Sequence, residues 1–100
     1  MLPENISVVG KVYNVVPKDI ENLCGVNLRT RQIVVDTDVE EGLERVDLLE
    51  QSLHAVNEEL RADLTDGQVH TLAAGIYALL VNNPALVAFL MPMPIKKRKN

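Results

Sequence analysis

The chain contains the stretch Ile6-Ser-Val-Val-Gly-Lys-Val-Tyr-Asn-Val-Val16, and this stretch decides how its first third folds. Two runs rich in β-branched residues flank Gly10-Lys11, and a glycine between two such runs is typical of a tight turn between strands. The pattern therefore predicts a β-hairpin.

Alternation of apolar and polar residues resumes at Cys24, with Val26 and Leu28 on one side of the pleat. Thr30-Arg31 is the predicted turn, and the predicted return strand is Gln32 to Asp36, with Ile33 and Val35 facing inward. The first third of the chain is thus predicted to form two successive hairpins in a small antiparallel sheet.

The remainder of the chain shows helical periodicity. Asp38 and Glu41 resemble a capping box, and a helix over residues 38–61 is predicted to follow. Its apolar stripe consists of Val39, Leu43, Val46, Leu49, Leu53, Val56 and Leu60.

A second capping box, Thr65 with Gln68, predicts a helix over residues 66–82. The apolar residues of this helix are Val69, Leu72, Ala73, Ile76, Leu79 and Leu80. Pro84 is suited to the first turn of a final short helix that ends at Phe89 or Leu90.

These elements predict an α+β fold in which the antiparallel sheet packs on both main helices, with Leu53 and Leu72 between sheet and helices. Its length of 100 residues suits one domain, predicted over residues 1–91. Residues 92–100 are predicted to form a basic, disordered tail, because Met91-Pro-Met-Pro94 cannot continue a helix.

Charge is distributed unevenly along the chain. Fourteen acids and ten bases give a net charge of −4, and setting aside Lys96, Lys97, Arg98 and Lys99 changes that value to −8. The rest of the chain is therefore acidic enough to repel the phosphate backbone of a nucleic acid. The four basic residues are the candidate polyanion-binding segment.

The number of cysteines and the length of the apolar stretches exclude further classes of protein. The single Cys24 excludes an internal disulfide and a cysteine-based zinc knuckle. The longest apolar stretches are broken at Asn82-Asn83-Pro84 or are too short to span a bilayer. We therefore expect a soluble cytoplasmic protein with no membrane partner, and the oligomeric state stays open.

Four ionisable residues lie where the two main helices are expected to meet. Glu50 and His54 are one turn apart at the edge of the first apolar stripe. Asp66 and His70, together with Tyr77, line one edge of the second stripe. If the connection at residues 61–64 makes the helices antiparallel neighbours, Glu50, His54, Asp66 and His70 converge.

Two interpretations of this cluster remain open. A half-buried carboxylate at Glu50 needs a partner, which an ion pair with His54 or a bond to a backbone amide supplies. The other interpretation is a divalent metal held by Glu50, His54, Asp66 and His70, for which oxygen-rich ligands favour manganese or iron as much as zinc. Asp66 also has an independent reason to occur here, because acids stabilise the first turn of a helix.

Several spaced segments resemble one known family. They are Gly10-Lys-Val-Tyr-Asn-Val15, Gln32-Ile-Val-Val-Asp36, Leu48-Leu-Glu-Gln-Ser-Leu-His-Ala55 and Val69-His-Thr-Leu-Ala-Ala-Gly-Ile-Tyr-Ala-Leu-Leu-Val-Asn-Asn-Pro84. In order and wording they are similar to the small zincin-like metallopeptidases of phages and prophages that are related to the ImmA/IrrE proteins. The resemblance covers roughly residues 6–90 and implies a minimal zincin-like core.

The chain departs from this family at the catalytic motif. Where the family has His-Glu-x-x-His, this chain has Glu50-Gln-Ser-Leu-His54. In zincins both histidines bind zinc and the glutamate accepts a proton from the metal-bound water. Gln51 stands at the position of that base, and an amide has no useful basicity near neutral pH.

The resemblance implies a vestigial motif at Glu50, Gln51 and His54, with Asp66 nearest to the family's third ligand. The leading expectation is a catalytically inactive zincin-like phage or prophage protein, with no catalytic residues and no cofactor, that binds a host or phage protein. It acts in the infected bacterial cell, with virion association left open. The alternatives are a hydrolase with zinc or another divalent metal at the altered site, and a nucleic-acid accessory protein that uses its basic tail.

Overall fold

The computed structural model describes residues 2–18, 25–36 and 41–91. The strands are β1 (Asn5–Val8), β2 (Lys11–Pro17), β3 (Gly25–Asn27) and β4 (Gln32–Val35). The helices are α1 (Glu41–Leu60), α2 (Asp66–Val81) and α3 (Pro84–Leu90). The α+β class is confirmed, whereas Cys24, the capping residue Asp38 and the segment 92–100 lie outside the described residues.

β1 and β2 form the first predicted hairpin. Val8 pairs with Lys11, so Val9 and Gly10 alone make the turn, one residue earlier than the predicted Gly10-Lys11. Both turn residues have positive φ, 50° at Val9 and 83° at Gly10. Positive φ at both positions is the primed geometry whose twist matches that of the strands, although a β-branched valine rarely adopts it.

β3 and β4 form the second hairpin, around residues 28–31. Asn27 pairs with Gln32, and the Asn27 side-chain oxygen accepts hydrogen bonds from the backbone N–H groups of Arg29 at 3.0 Å and Thr30 at 3.2 Å. This Asx arrangement stabilises the turn from within. Leu28, predicted to face the same side as Val26, lies in the turn and is exposed.

The sheet is mixed rather than wholly antiparallel. Its strand order is β1-β2-β4-β3, and the two hairpins join through parallel pairing of β2 with β4, with Val15 opposite Ile33. Hydrophobic alternation shows which side chains face the core, but it does not show which strand lies alongside which. The prediction was therefore correct for each hairpin and wrong for the way they combine.

The main core lies between the sheet and α1. Tyr13, Ile33, Val35 and Ala55 are fully buried there, and Val8 is nearly so. The prediction that Ile33 and Val35 face the core is confirmed. Because Ala55 has only a methyl side chain, the sheet can approach the helix closely at this point.

The second main helix does not pack on the sheet. Within the described ranges, the backbone of α2 approaches only α1 and α3, and α2 buries only Val69 and Ala73 fully. Leu72 is 47% exposed, so its predicted core position is wrong, while Leu53 on α1 is half-buried. Apolar residues occur all around α2, so periodicity does not single out the side that faces α1.

The ends of α2 follow the predicted signals. The Thr65 hydroxyl accepts from the Gln68 N–H at 3.1 Å, and the Gln68 side chain accepts from the Thr65 N–H at 2.9 Å. The capping box is thus complete. Asn82 caps the other end of α2, and Pro84 occupies the first turn of α3 as expected.

Val9→Asn is expected to raise the free energy of unfolding by about 1 kcal/mol, because asparagine adopts positive φ more readily than valine and Asn-Gly favours this turn. Urea unfolding measures the change. Val12→Asn is the matched control, since Val12 is an exposed residue of β2 where β propensity favours valine. Destabilisation by Val9→Asn as large as that by Val12→Asn would contradict the turn assignment.

Candidate functional site

α1 and α2 run antiparallel, and one side chain fixes their connection. Asn57 Oδ1 accepts from the Leu64 N–H at 3.0 Å, and Asn57 Nδ2 donates to the Leu64 carbonyl at 3.2 Å. Two hydrogen bonds between the Asn57 side-chain amide and the backbone N–H and C=O of Leu64 set where α2 begins. The predicted short antiparallel connection is confirmed.

This connection brings the four predicted ionisable residues together. His70 Nδ1 lies 2.8 Å from Glu50 Oε1 and makes a hydrogen bond with it. His54 Nε2 lies 3.8 Å from Glu50 Oε2, and His54 Nδ1 lies 3.9 Å from Asp66 Oδ1. The convergence that helix pitch predicted is therefore present, with His54 between two carboxylates.

The strongest partner of Glu50 differs from the expected one. His54 was the predicted partner, but its 3.8 Å approach is too long for a hydrogen bond, whereas His70 is within bonding distance. The Glu50 side chain is mostly buried, while His70 is largely exposed. Glu50 thus meets the cost of its burial by pairing with the neighbouring helix rather than with its own.

A metal does not fit these side chains as they stand. Among residues 2–18, 25–36 and 41–91, no group of three or more His, Cys, Asp or Glu side chains could hold a metal ion. Glu50 Oε1 is bonded to His70, and the Asp66 side chain extends fully into solvent. The zinc or other divalent metal implied by the resemblance therefore has no ready set of ligands here.

Gln51, which stands at the position of the family's catalytic base, has a structural role. It is only 7% exposed, and its Nε2 donates to Asp47 Oδ1 at 3.2 Å. The other Asp47 oxygen accepts from the Asp36 backbone N–H at 3.0 Å, at the end of β4. Through Asp47, Gln51 helps to attach α1 to the sheet.

A cleft of about 460 Å³ lies beside the cluster, between β3 with its turn and the two helices. One side is formed by Val26 and Leu28, and the other carries the carboxylates of Glu50, Glu58 and Asp66 together with His54. Three carboxylates against one imidazole make the cleft electronegative, which favours cationic ligands.

Sequence reasoning missed a second polar cluster, near the C-terminal end of α1 on the side that faces the sheet. The hydroxyl of the fully buried Tyr13 donates to Glu59 Oε2 at 2.5 Å. Lys11 Nζ lies 3.5 Å from Glu59 Oε1, and Arg31 Nε lies 3.8 Å from Glu59 Oε2. The sequence does contain a pattern that could have identified it. Leu48, Gln51, Ala55 and Glu59 follow one another at intervals of three, four and four residues, which places Glu59 on the side of α1 that faces the sheet.

This cluster shifts the pKa values of both Tyr13 and Glu59. Burial raises the pKa of Tyr13, and the hydrogen bond to the negatively charged Glu59 carboxylate raises it further. The same hydrogen bond lowers the pKa of Glu59, and the nearby charges of Lys11 and Arg31 act in the same direction. The pair therefore favours a neutral tyrosine and an ionised glutamate.

Tyr77 on α2 is half-buried, while the basic residues Lys96 to Lys99 lie outside the part of the chain that the structure describes.

No protein-family model, curated protein or solved structure is significantly similar to this chain.

Glu59→Gln is expected to lower the free energy of unfolding near pH 7, and to lower it by less near pH 3. Because the folded pKa of Glu59 lies below its ordinary 4.5, its stabilisation is present above that value and is lost as the pH falls through the folded pKa. Urea unfolding at both pH values measures the difference. Glu58→Gln, at the exposed neighbouring residue, is the control, and an equal effect of Glu59→Gln at both pH values would contradict the assignment.

Proposed function

We propose that this chain is a catalytically inactive zincin-like protein, of phage or prophage origin, that acts in the infected cell by binding another protein. The observation that carries the proposal is the state of the vestigial motif. Glu50 is bonded to His70 across the helix interface, and Gln51 is buried against Asp47. Both residues contribute to holding the fold, and Gln51, at the position of the family's general base, is an amide with no useful basicity.

The placement of Asp66 supports the resemblance to zincins. The family's third ligand is an acid at the start of the helix after the motif, and Asp66 is the first residue of α2, 3.9 Å from His54. His54 corresponds to the second motif histidine. The residues at the remaining ligand positions are thus neighbours in space, as in an altered metal site.

The cleft is the surface that best suits a protein partner. Its carboxylates at Glu50, Glu58 and Asp66 complement positive charge, and Val26 and Leu28 offer apolar contact beside them. We propose that the cleft binds a basic peptide segment of a host or phage protein. Such a segment would bind noncovalently and would not be cleaved.

Glu50→His is expected to create a zinc site, because it supplies the missing histidine next to His54 and Asp66. After chelator treatment, the variant should take up about one equivalent of Zn²⁺ and gain about 2.7 kcal/mol of stability when free zinc is at 100 times the Kd. Adding Gln51→Glu completes the motif but sets a carboxylate beside Asp47, so the single variant is the cleaner test.

Glu50→His with His54→Ala is the control and should bind no zinc. If the folded single variant also takes up none, the ligand alignment is wrong. Stoichiometric metal on the wild-type chain, with a melting shift abolished by His54→Ala, would instead support the metal-dependent hydrolase.

Peptide binding tests the cleft directly. Lys- and Arg-rich peptides should bind the wild-type chain more tightly than Asp- and Glu-rich peptides of equal length, as measured by fluorescence anisotropy. Because each reversal replaces an attraction by a repulsion, Glu58→Lys with Asp66→Lys should weaken the basic peptides at least about tenfold. Glu4→Lys, at an exposed acid that does not line the cleft, is the control, and equal weakening by it would remove the cleft from the proposal.

A further inference from the structure

The side of α2 that faces away from α1 is exposed along its length. Val69 and Ala73 are buried towards α1, and Asp66 and His70 contact α1 as well. On the opposite side, residues at successive intervals of four, three, four and three are all exposed, and they are Gln68, Leu72, Gly75, Leu79 and Asn82. We call this row the outer seam. Alternating intervals of three and four are the spacing with which one helix packs along another.

No charged side chain interrupts the outer seam or the residues that follow it. Residues 71–91 contain no Asp, Glu, Lys, Arg or His. α3 has the sequence PALVAFL, and none of its residues is fully buried. α3 leaves α2 at a bend of 100°, and among the described elements its backbone approaches only α2. Clustered exposed apolar side chains are typical of an interaction surface.

The exposed apolar residues offer enough surface for a stable interface. Leu72 is 47% exposed and Leu79 51%. At α3, Phe89 is 82% exposed, Leu90 57% and Met91 64%. Together these five residues expose about 600 Å², against about 800 Å² that each partner buries in an interface of standard size. The described residues thus supply most of the area that a second copy of this chain needs.

A groove of about 640 Å³ adjoins the outer seam at the start of α2. None of the residues that line it is charged, and they are Leu64, Thr65, Gly67, Gln68, Thr71 and Leu72. The groove therefore suits an uncharged, largely apolar segment. Within the described part of this chain, α3 is a segment of that kind.

We propose that the outer seam is the interface of a two-fold symmetric dimer, in which α2 of one copy packs antiparallel on α2 of the other. Leu72 lies three residues before Gly75, and Leu79 lies four residues after it. An antiparallel second copy therefore sets Leu72 of each chain opposite Leu79 of the other. Gly75 lies near the two-fold axis, and because it has no side chain the two helices can approach closely there.

The same arrangement uses α3. In an antiparallel pair the end of one α2 lies beside the start of the other, so α3 of each copy begins level with the groove of its partner. Phe89 and Leu90 then extend the contact at both ends of the interface. The surface is thus complementary to itself, which a two-fold dimer requires.

Charge favours a second copy over an anionic membrane. Because α1 and α2 run antiparallel, α1 begins at the end of the helix pair where α3 lies, and its first seven residues contain Glu41, Glu44 and Asp47 against Arg45 alone. Negatively charged lipid repels that end of the molecule. A second copy presents only uncharged residues to the outer seam, and the antiparallel pairing keeps the two acidic helix starts at opposite ends of the dimer.

Sedimentation equilibrium of the full chain tests the proposal. The wild type should be dimeric at about 50 μM, since interfaces of standard size have dissociation constants of micromolar or below. Leu72→Glu with Leu79→Glu should raise the dissociation constant at least about tenfold, because the dimer would then bury four unpaired carboxylates. The proposal does not depend on what the cleft binds, so loss of peptide binding leaves this result unchanged.

Val12→Glu is the matched control, because Val12 is 60% exposed on the sheet, which α2 does not approach. It should dimerise as the wild type does, and circular dichroism and melting temperature establish that every variant is folded. A folded wild type that is monomeric at this concentration overturns the proposal, as does equal weakening by Val12→Glu. If the monomer instead floats with lipid vesicles, and the double variant does not, the outer seam belongs to a lipid surface.

Disulfide trapping tests the direction of the pairing. In a Cys24→Ser background, a mixture of Leu72→Cys and Leu79→Cys chains should form the mixed disulfide at least about tenfold faster than either chain forms a disulfide with itself. The reason is that a disulfide needs the two Cα atoms within about 7 Å, and the antiparallel seam sets position 72 opposite position 79. Faster bonding between identical chains would overturn the antiparallel arrangement.

Discussion

The close approach of the sheet to α1 is the constraint on which the rest of the molecule depends. Tyr13 and Ile33 pack where Ala55 provides no bulk, and the Tyr13 hydroxyl then reaches Glu59 on the same helix. A buried hydroxyl without a partner is costly, so this bond fixes the helix against the strands as well as stabilising it. Asp47 makes a second attachment, at the end of β4.

With α1 fixed, the other helices are added outward from it. Asn57 sets the start of α2, and the bond between His70 and Glu50 joins the two helices further along. The residues that resemble a catalytic motif therefore hold the interface together. In the zincins that this motif resembles, the corresponding positions hold the metal and the catalytic base, and a single side chain seldom serves both a structural and a catalytic need.

The molecule divides its surface by charge. The cleft beside α1 is electronegative, while α3 is uncharged and is followed by the basic segment. The carboxylates of the cleft attract cations, whereas α3 has only apolar side chains to offer a partner.

The sequence by itself determined both hairpins, the capping box of α2, the short helix after Pro84 and the convergence of Glu50, His54, Asp66 and His70. Each depends on contacts between residues near in the chain, or on helix pitch across one short connection. Only the tertiary structure decided the parallel pairing of β2 with β4, the exposure of Leu72 and the bond between Tyr13 and Glu59. Alternation does not identify a neighbouring strand, and a helix that is apolar on all sides does not indicate its buried face. Contacts between distant residues depend on how whole elements pack, which local pattern leaves undetermined.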